Sequence, residues 1–169
     1  FSLLLAVGGD SIGAFVLLPD ADRPQPPAYE RTTWRQIARD LAATGISAAD
    51  IHVKDARISL SGAQEKTTLV VDANGDPWLP RGYSPSTHIL KPDIQRTRGV
   101  YASAANETII MRTAFHADMD VATVAFERQT RSSLIRRFDR AGVHPQPISR
   151  LVQYDMCQLA GVASSGKYE

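Results

Sequence analysis

The most constraining feature of the sequence is a pair of strand-forming segments with only small and polar residues between them. Residues 57–60 are compatible with a β-strand, and the apolar residues 67–71 predict a second one. Between them lie the small residues 61–63 and the polar residues 64–66. A glycine beside an alanine lets main chain pass close to a bulky anion, and Lys66 supplies a charge for it. These residues fit a phosphate-binding hairpin and a plain hairpin with a small turn, and both interpretations stay open.

Composition indicates an ordinary globular chain with one core or two small ones. The chain has 169 residues, of which 43% are hydrophobic and 22% charged. A formal net charge of +1 gives no global argument for binding nucleic acid or a membrane. The single cysteine, Cys157, excludes an internal disulfide framework and fits a reducing cytoplasm, and its helical spacing beside Met156 and Leu159 predicts a buried core thiol.

The two ends of the chain suggest a piece of a longer protein. The sequence opens on Phe1 without a methionine, inside the apolar segment 1–7, which is too short for a membrane span and lacks the basic flank of a signal peptide. It closes on Glu169 without a polar tail. We expect the full protein to extend beyond both ends.

Turn-forming residues divide the chain into short strands and a few helices. Gly8-Gly9-Asp10 predicts a tight turn between strands at 1–7 and 11–18, and the proline-rich residues 19–29 predict a linker. A threonine cap at residue 32 or 33 predicts a helix from Trp34 that Gly45 ends. The other predicted elements are strands at 67–71, 78–79, 87–92, 121–127 and 132–138, and helices starting at Ser103 and Gln153. The helix from Ser103 shows one broad apolar face that carries Ile109, Ile110, Ala114 and Phe115. This order predicts an α+β fold rich in antiparallel strands.

Several sequence blocks, in this order along the chain, resemble the HipA family of bacterial toxin serine/threonine kinases. They are Gly9-Asp-Ser-Ile-Gly-Ala14, Ser59-Leu-Ser-Gly-Ala-Gln-Glu-Lys66, Pro85-Ser-Thr-His-Ile-Leu-Lys-Pro92, Asn106-Glu107, Arg137-Phe-Asp-Arg140, Gln153-Tyr-Asp-Met-Cys-Gln158 and Ser164-Ser-Gly-Lys-Tyr-Glu169. The resemblance implies a protein-kinase-like N-lobe, an antiparallel sheet with packed helices, over residues 30–169. Residues 1–29 would be the end of a small N-terminal β subdomain and a linker, and the C-lobe would be absent.

The resemblance implies that the residue 59–66 loop covers ATP and regulates the kinase. In such kinases a serine of this loop is phosphorylated by the kinase itself, which shuts off activity, so Ser59 and Ser61 are both candidates. A phosphoserine adds about −1.5 to −2 charges beside the ATP phosphates, and like-charge repulsion accounts for the inhibition. The resemblance also implies that Lys91 touches the nucleotide phosphates. By analogy with other kinases, Glu107 is its candidate ion-pair partner, although a carboxylate near a helix N-terminus is also favoured by the helix dipole.

The Arg137-Phe-Asp-Arg140 segment resembles the hinge that binds adenine in this family. The main chain of Arg136 and Phe138 would then contact adenine, while Asp139 and Gln153 would contact the ribose hydroxyls. Arg136 stands where the family usually has glutamate, and Phe138 is also compatible with plain core packing. The candidate ATP-binding set is Ser61, Gly62, Ala63, Gln64, Lys66, Lys91, Arg136, Phe138, Asp139 and Gln153. Arg131, Arg136, Arg137 and Arg140 form a basic strip that fits a solvated strand edge or a polyanion site.

Catalytic residues are expected outside this chain. The family places its catalytic loop and the Mg²⁺ ligands in the C-lobe, and no such loop occurs here, so we expect no catalytic or metal-binding residue and little activity from the chain alone. The resemblance implies ATP and Mg²⁺ as cofactors, an aminoacyl-tRNA synthetase as substrate, and a HipB-like helix-turn-helix antitoxin that links the kinase to operator DNA. A cytoplasmic protein with no membrane partner is expected. The alternative is a non-catalytic module of the same fold that binds an antitoxin or regulator.

Overall fold

Eight strands and three helices make up the described part of the chain. The computed structural model describes residues 10–16, 18, 23, 25–44, 66–94 and 101–162. The strands are β1 Ala28–Arg31, β2 Thr67–Val71, β3 Pro77–Arg81, β4 His88–Pro92, β5 Val124–Glu127, β6 Ser132–Arg136, β7 Arg140–Ala141 and β8 Ser149–Arg150. The helices are α1 Trp34–Thr44, α2 Ser103–His116 and α3 Met156–Ala160. The predicted strand at 1–7 and the lead-in strand at 57–60 lie outside the described residues.

Six of the strands form one antiparallel sheet in the order β1-β3-β2-β4-β6-β5. β2 lies at its centre, where Thr67, Thr68, Leu69 and Val70 are all buried. Turn residues between β2 and β3 close the hairpin, with Asp72 accepting main-chain hydrogen bonds from Asn74 and Asp76. The short strands β7 and β8 form a separate two-stranded ribbon. The expected antiparallel α+β fold is confirmed.

Helix α1 covers one face of the sheet. Its apolar residue Ile37 packs with Leu69 of β2 and Leu90 of β4 in the buried core, and Trp34 and Leu41 flank this contact. The helix begins where the sequence predicts, because the Thr33 hydroxyl accepts a hydrogen bond from the Gln36 N–H.

Helix α2 approaches the sheet through small residues near its first turns. Ala104 and Thr108 are buried, and the Thr108 hydroxyl donates to Ala104 O and lies 3.2 Å from Ser133 Oγ of β6. The side chain of Asp93 accepts from the Ala104 N–H and so supplies the cap that Ala102 lacks. The apolar face predicted from the sequence is not the packed one: Ile109, Ile110 and Phe115 are exposed. The small side chains of Ala104, Thr108 and Ser133 allow a close approach of α2 to the sheet, so the face of α2 that carries Ala104 and Thr108 is the buried one.

The structure corrects several predicted boundaries. Residues 12–14 form a bend and residues 11–16 contain no strand, and residues 28 and 29 of the predicted linker belong to β1. β5 begins at Val124 and β6 ends at Arg136, so both strands are shorter than expected. The last helix begins after Asp155, whose side chain and Gln158 form a capping box.

Helix α3 also leaves Cys157 only half-buried, so the expectation of a buried core thiol is wrong. Its neighbours Met156 and Leu159 are exposed. Among the described helices, none is long and apolar enough to cross a membrane.

Candidate nucleotide-binding site

The candidate phosphate-binding residues meet where β2 and β4 run side by side. Thr67 pairs with Leu90, and Lys66 and Lys91 each lie one residue beyond that pair at the same end of the two strands. Lys91 is also paired with Ser133 of β6, which lies under α2. The sheet register therefore brings two lysines from distant parts of the sequence to one place.

A short ion pair joins this part of the sheet to α2. Lys91 Nζ lies 2.6 Å from Glu107 Oε1, and about a quarter of each side chain is exposed, 22% for the lysine and 27% for the glutamate. The structure thus brings together the two residues that the sequence paired by analogy. The pair holds the ammonium group beside α2, and an ammonium group can donate up to three hydrogen bonds.

Lys66 lies close enough to Lys91 and Glu107 for their charges to change its pKa. Burial, followed by the nearby charge of Lys91, lowers the pKa of Lys66, whereas Glu107 acts in the opposite direction. The charges of Lys66, Lys91 and Glu107 therefore act on one another at this end of the two strands.

His88, at the start of β4, is held in its neutral form. Burial, and secondarily the charge of Arg136, lowers the pKa of His88 to about 4. Its Nδ1 lies 2.8 Å from the Thr87 hydroxyl, which itself accepts a hydrogen bond from the Val71 N–H. His88 is therefore a packed strand residue.

The predicted hinge segment alternates between buried and exposed side chains. Arg137, Asp139 and Arg140 are buried, whereas Arg136 is exposed and Phe138 is 70% exposed. The prediction of a solvated basic strip is therefore wrong for Arg137 and Arg140, whose side chains are each 1% exposed. Both guanidinium groups are buried because carboxylates surround them, as buried charges require.

Asp139 is the centre of this buried cluster. Its Oδ1 accepts from Arg137 Nε at 2.9 Å, and its Oδ2 accepts from Arg137 Nη2, Arg140 Nη1 and the Gly13 N–H at 2.7–2.8 Å. Burial raises the pKa of Asp139, but the hydrogen bonds from Arg137 and Gly13 and the two positive charges outweigh it, so the pKa lies below its ordinary value. A carboxylate offers about four acceptor positions, so these four hydrogen bonds use about all of them.

Gln153 lies beside the same cluster. A side chain added at Gly13 would meet the Gln153 main-chain nitrogen at 3.6 Å, so Gly13 lies between Gln153 and Asp139. The Gln153 Oε1 atom is buried and has no hydrogen-bond partner in the described part of the chain. An orphaned buried acceptor is costly unless a donor reaches it.

Phe138 of the hinge has a main-chain donor as well as an exposed aromatic ring. The Arg137 N–H on one side donates to Thr87 O, and the Asp139 carbonyl on the other accepts from the Leu151 N–H. Within the described ranges the Phe138 N–H meets no acceptor. The structure thus leaves one main-chain donor of the hinge available beside an exposed aromatic ring.

Other candidate residues fall outside the described ranges. Ser59, Ser61, Gly62, Ala63 and Gln64 belong to this group, so their predicted roles are unchanged. Among the residues that the structure describes, no group of three His, Cys, Asp or Glu side chains could hold a metal ion.

Sequence reasoning missed Asp10. The sequence predicts it as a turn residue within the first family-like block, yet it is buried and paired with Arg137 and Arg140, about 130 positions away in the sequence. The one signal that could have indicated a buried partner is the close spacing of Arg137, Asp139 and Arg140, since three charges within four residues need counter-charges if the segment is packed.

Comparison with known proteins shows which family the chain resembles. The family model described as the HipA-like C-terminal domain matches residues 58–169. A Sinorhizobium fredii protein named "Putative kinase Y4mE" is 33% identical over 99% of this chain and 41% of its own length. Among solved structures, HipA of Shewanella oneidensis MR-1, in a complex with HipB and operator DNA, matches with a TM-score of 0.74 and 26% identity, over 99% of this chain and 39% of that chain.

The antiparallel sheet, with its lysine–glutamate pair between a strand and the adjoining helix, defines a kinase-like α+β fold. The chain belongs to the HipA family. It spans about two fifths of the length of the relatives that it matches.

Proposed function

We propose that the protein containing this chain is a HipA-like serine/threonine kinase that uses ATP, and that this chain is its nucleotide-binding part. The observation that carries the proposal is the pairing of Lys91 with Glu107 at 2.6 Å, beside a second lysine at the same strand ends. A strand lysine held by a helix carboxylate is the arrangement that kinases use to hold nucleotide phosphates. Here Lys91 would bind the phosphates while Glu107 keeps its ammonium group in place.

Lys66 would act as a second cation for the phosphates. Burial and the charge of Lys91 both lower the pKa of Lys66. A bound polyanion would offset both effects, because a nearby negative charge favours the charged form of the lysine. The small residues Ser61, Gly62 and Ala63, with Gln64, would allow the main chain of the preceding loop to approach the phosphates.

The hinge fits a purine nucleoside. The available Phe138 N–H and the main chain of Arg136 would read the edge of adenine, and the Phe138 ring offers an apolar surface for the base. Gln153 Oε1 lacks a donor, and a ribose hydroxyl would supply one. Asp139, the second proposed ribose contact, already accepts four hydrogen bonds within the chain, so it would hold the turn beside the sugar.

Phosphoryl transfer itself requires groups that this chain does not provide in its described ranges. The Mg²⁺ ions that accompany ATP neutralise charge on the phosphates when bound, and their ligands are expected in another part of the protein. The chain would therefore bind and orient ATP but be inactive alone.

Regulation and partners follow from the family. Phosphate on Ser59 or Ser61 would place like charge against the nucleotide and expel the loop that covers it. A HipB-like antitoxin that binds operator DNA is the proposed partner, since the related Shewanella HipA structure contains HipB and its operator. The proposed substrate is a translation factor of the aminoacyl-tRNA synthetase class, and the proposed location is the cytoplasm.

Incubation of the full-length protein with ATP and Mg²⁺, followed by peptide mass spectrometry, tests this function. We expect phosphate on Ser59 or Ser61 in the wild type and none in Lys91→Ala. The matched control is Arg31→Ala, which removes an exposed cation paired with Asp76. Phosphate only at other positions would reject the loop switch. Absence of transfer to any protein, together with binding of an antitoxin, would favour the non-catalytic module.

A further inference from the structure

Asp10 lies far from the hinge in sequence but holds it on both sides. Its Oδ2 accepts from Arg137 Nη1 at 3.0 Å, and its Oδ1 accepts from Arg140 Nη2 at 2.9 Å. These two arginines flank Phe138 and Asp139 directly. One carboxylate therefore fixes both ends of the hinge turn.

Neighbouring groups orient the Asp10 carboxylate. The Ser86 N–H donates to its Oδ2 at 3.1 Å, and the Ser86 hydroxyl accepts from Arg137 Nη1. Arg150 Nη2 lies 3.4 Å from its Oδ1. Ser86, which lies just before β4, and Arg150 of β8 thus also hold the Asp10 carboxylate in place.

The charge balance makes this carboxylate essential to the cluster. Three guanidinium groups, those of Arg137, Arg140 and Arg150, face the two carboxylates of Asp10 and Asp139. Without the charge of Asp10, the buried Arg137 and Arg140 would share the single carboxylate of Asp139, and the partly buried Arg150 would lose its ion pair with Asp10. Arg137 and Arg140, which both contact Asp139 already, would each lose their second carboxylate, and the turn between them would lose its defined shape.

We propose that Asp10 is a positioning residue for nucleotide recognition: through Arg137 and Arg140 it holds the Phe138 main chain in the geometry that reads adenine. The inference rests on the proposed ATP-binding function. Adenine and guanine present donors and acceptors in opposite order on the edge that a main-chain hinge contacts. A hinge held in one geometry therefore rejects guanine, because the wrong base leaves its polar groups unpaired.

A purely structural role for Asp10 makes a different prediction. Loss of the carboxylate would then lower the stability of the protein and weaken ATP and GTP binding by the same factor. The ratio of the two affinities separates the roles, because only the geometry of the hinge changes that ratio.

The experiment compares ATP and GTP binding by calorimetry in four forms of the full-length protein. They are the wild type, Asp10→Asn, Ser86→Ala and the control Asp76→Asn, which removes an exposed carboxylate at the β2–β3 turn. We expect the preference for ATP over GTP to fall about tenfold in Asp10→Asn, equivalent to ~1.4 kcal/mol. A smaller fall is expected in Ser86→Ala and none in Asp76→Asn.

The outcomes distinguish the two proposals. If the wild type binds ATP and folded Asp10→Asn keeps its preference, the positioning role is overturned and the proposed function stands. If Asp10→Asn does not fold, Ser86→Ala decides, since it keeps every ion pair and removes one hydroxyl; an unchanged preference there overturns the role. A wild type that binds neither nucleotide overturns the proposed function, and this inference with it.

Discussion

Lys91 and Glu107 are 16 residues apart in sequence, and their side chains meet at 2.6 Å between β4 and α2. The strand residue is placed by its pairing with Ser133, and the helix residue by the contact of Thr108 with the same serine. A single serine of β6 therefore lies under both halves of the pair. The geometry of the candidate phosphate site depends on how closely α2 approaches the sheet.

The pKa of Lys66 should report on this pair. Because Lys91 lowers that pKa and Glu107 raises it, Lys91→Ala should raise the pKa of Lys66 and Glu107→Gln should lower it further. Carbon-13 NMR titration of the lysine side chains measures both changes. Shifts in the same direction in the two variants would contradict the charge arrangement described above.

Acid should destabilise the protein through His88. The pKa of His88 in the folded state is about 4, below its ordinary value of 6.5, so between these values the unfolded chain binds a proton that the folded chain does not. The free energy of unfolding is therefore highest above pH 6.5 as far as His88 is concerned. It decreases by up to about 1.4 kcal/mol per pH unit as the pH falls from 6.5 towards 4. The pKa of Asp139 is also lowered, but from 3.8, so its loss occurs at lower pH.

Urea unfolding between pH 7.5 and 4 measures this dependence in the wild type and in His88→Gln. The variant should show the smaller slope over the window from 6.5 to 4. Equal slopes in the two proteins would show that His88 is not the group responsible.

Gly142 and Gly75 form a matched pair for testing the ribbon beside the hinge. Both glycines have positive φ, 104° at Gly142 and 85° at Gly75. A Cβ atom added at Gly142 would meet Pro147 O at 2.2 Å, whereas a Cβ atom added at Gly75 would meet no described atom within 4 Å. Gly75→Ala should cost about 1–2 kcal/mol for the backbone conformation alone. Gly142→Ala should cost clearly more, because the β7–β8 turn must move. Equal losses of unfolding free energy in urea would contradict the tight turn.

The elements that follow from local patterns were predictable from the sequence. The apolar segments became β2 and β4, and the threonine cap at residue 33 marks the start of α1. Pairing of β2 with β4 then places Lys66 and Lys91 together. The family resemblance suggests that both lysines bind phosphates, but local sequence patterns do not give the register of the two strands.

Two features were not predictable because they depend on long-range contacts. The pairing of Asp10 with Arg137 joins positions 127 residues apart, and no local pattern near Asp10 indicates it. The face that α2 buries was also missed, since a pattern of apolar residues such as Ile109 and Phe115 indicates a hydrophobic face but does not identify what covers it.

The most direct test of nucleotide binding is calorimetric titration of the full-length protein with ATP. Wild type and the control Arg31→Ala should bind with the same affinity, and Lys91→Ala should bind about a hundredfold more weakly, since a charge-assisted contact of ~2.7 kcal/mol is lost. Equal affinity of Lys91→Ala and wild type, or no binding by the wild type, would contradict the assignment of this lysine to the nucleotide phosphates.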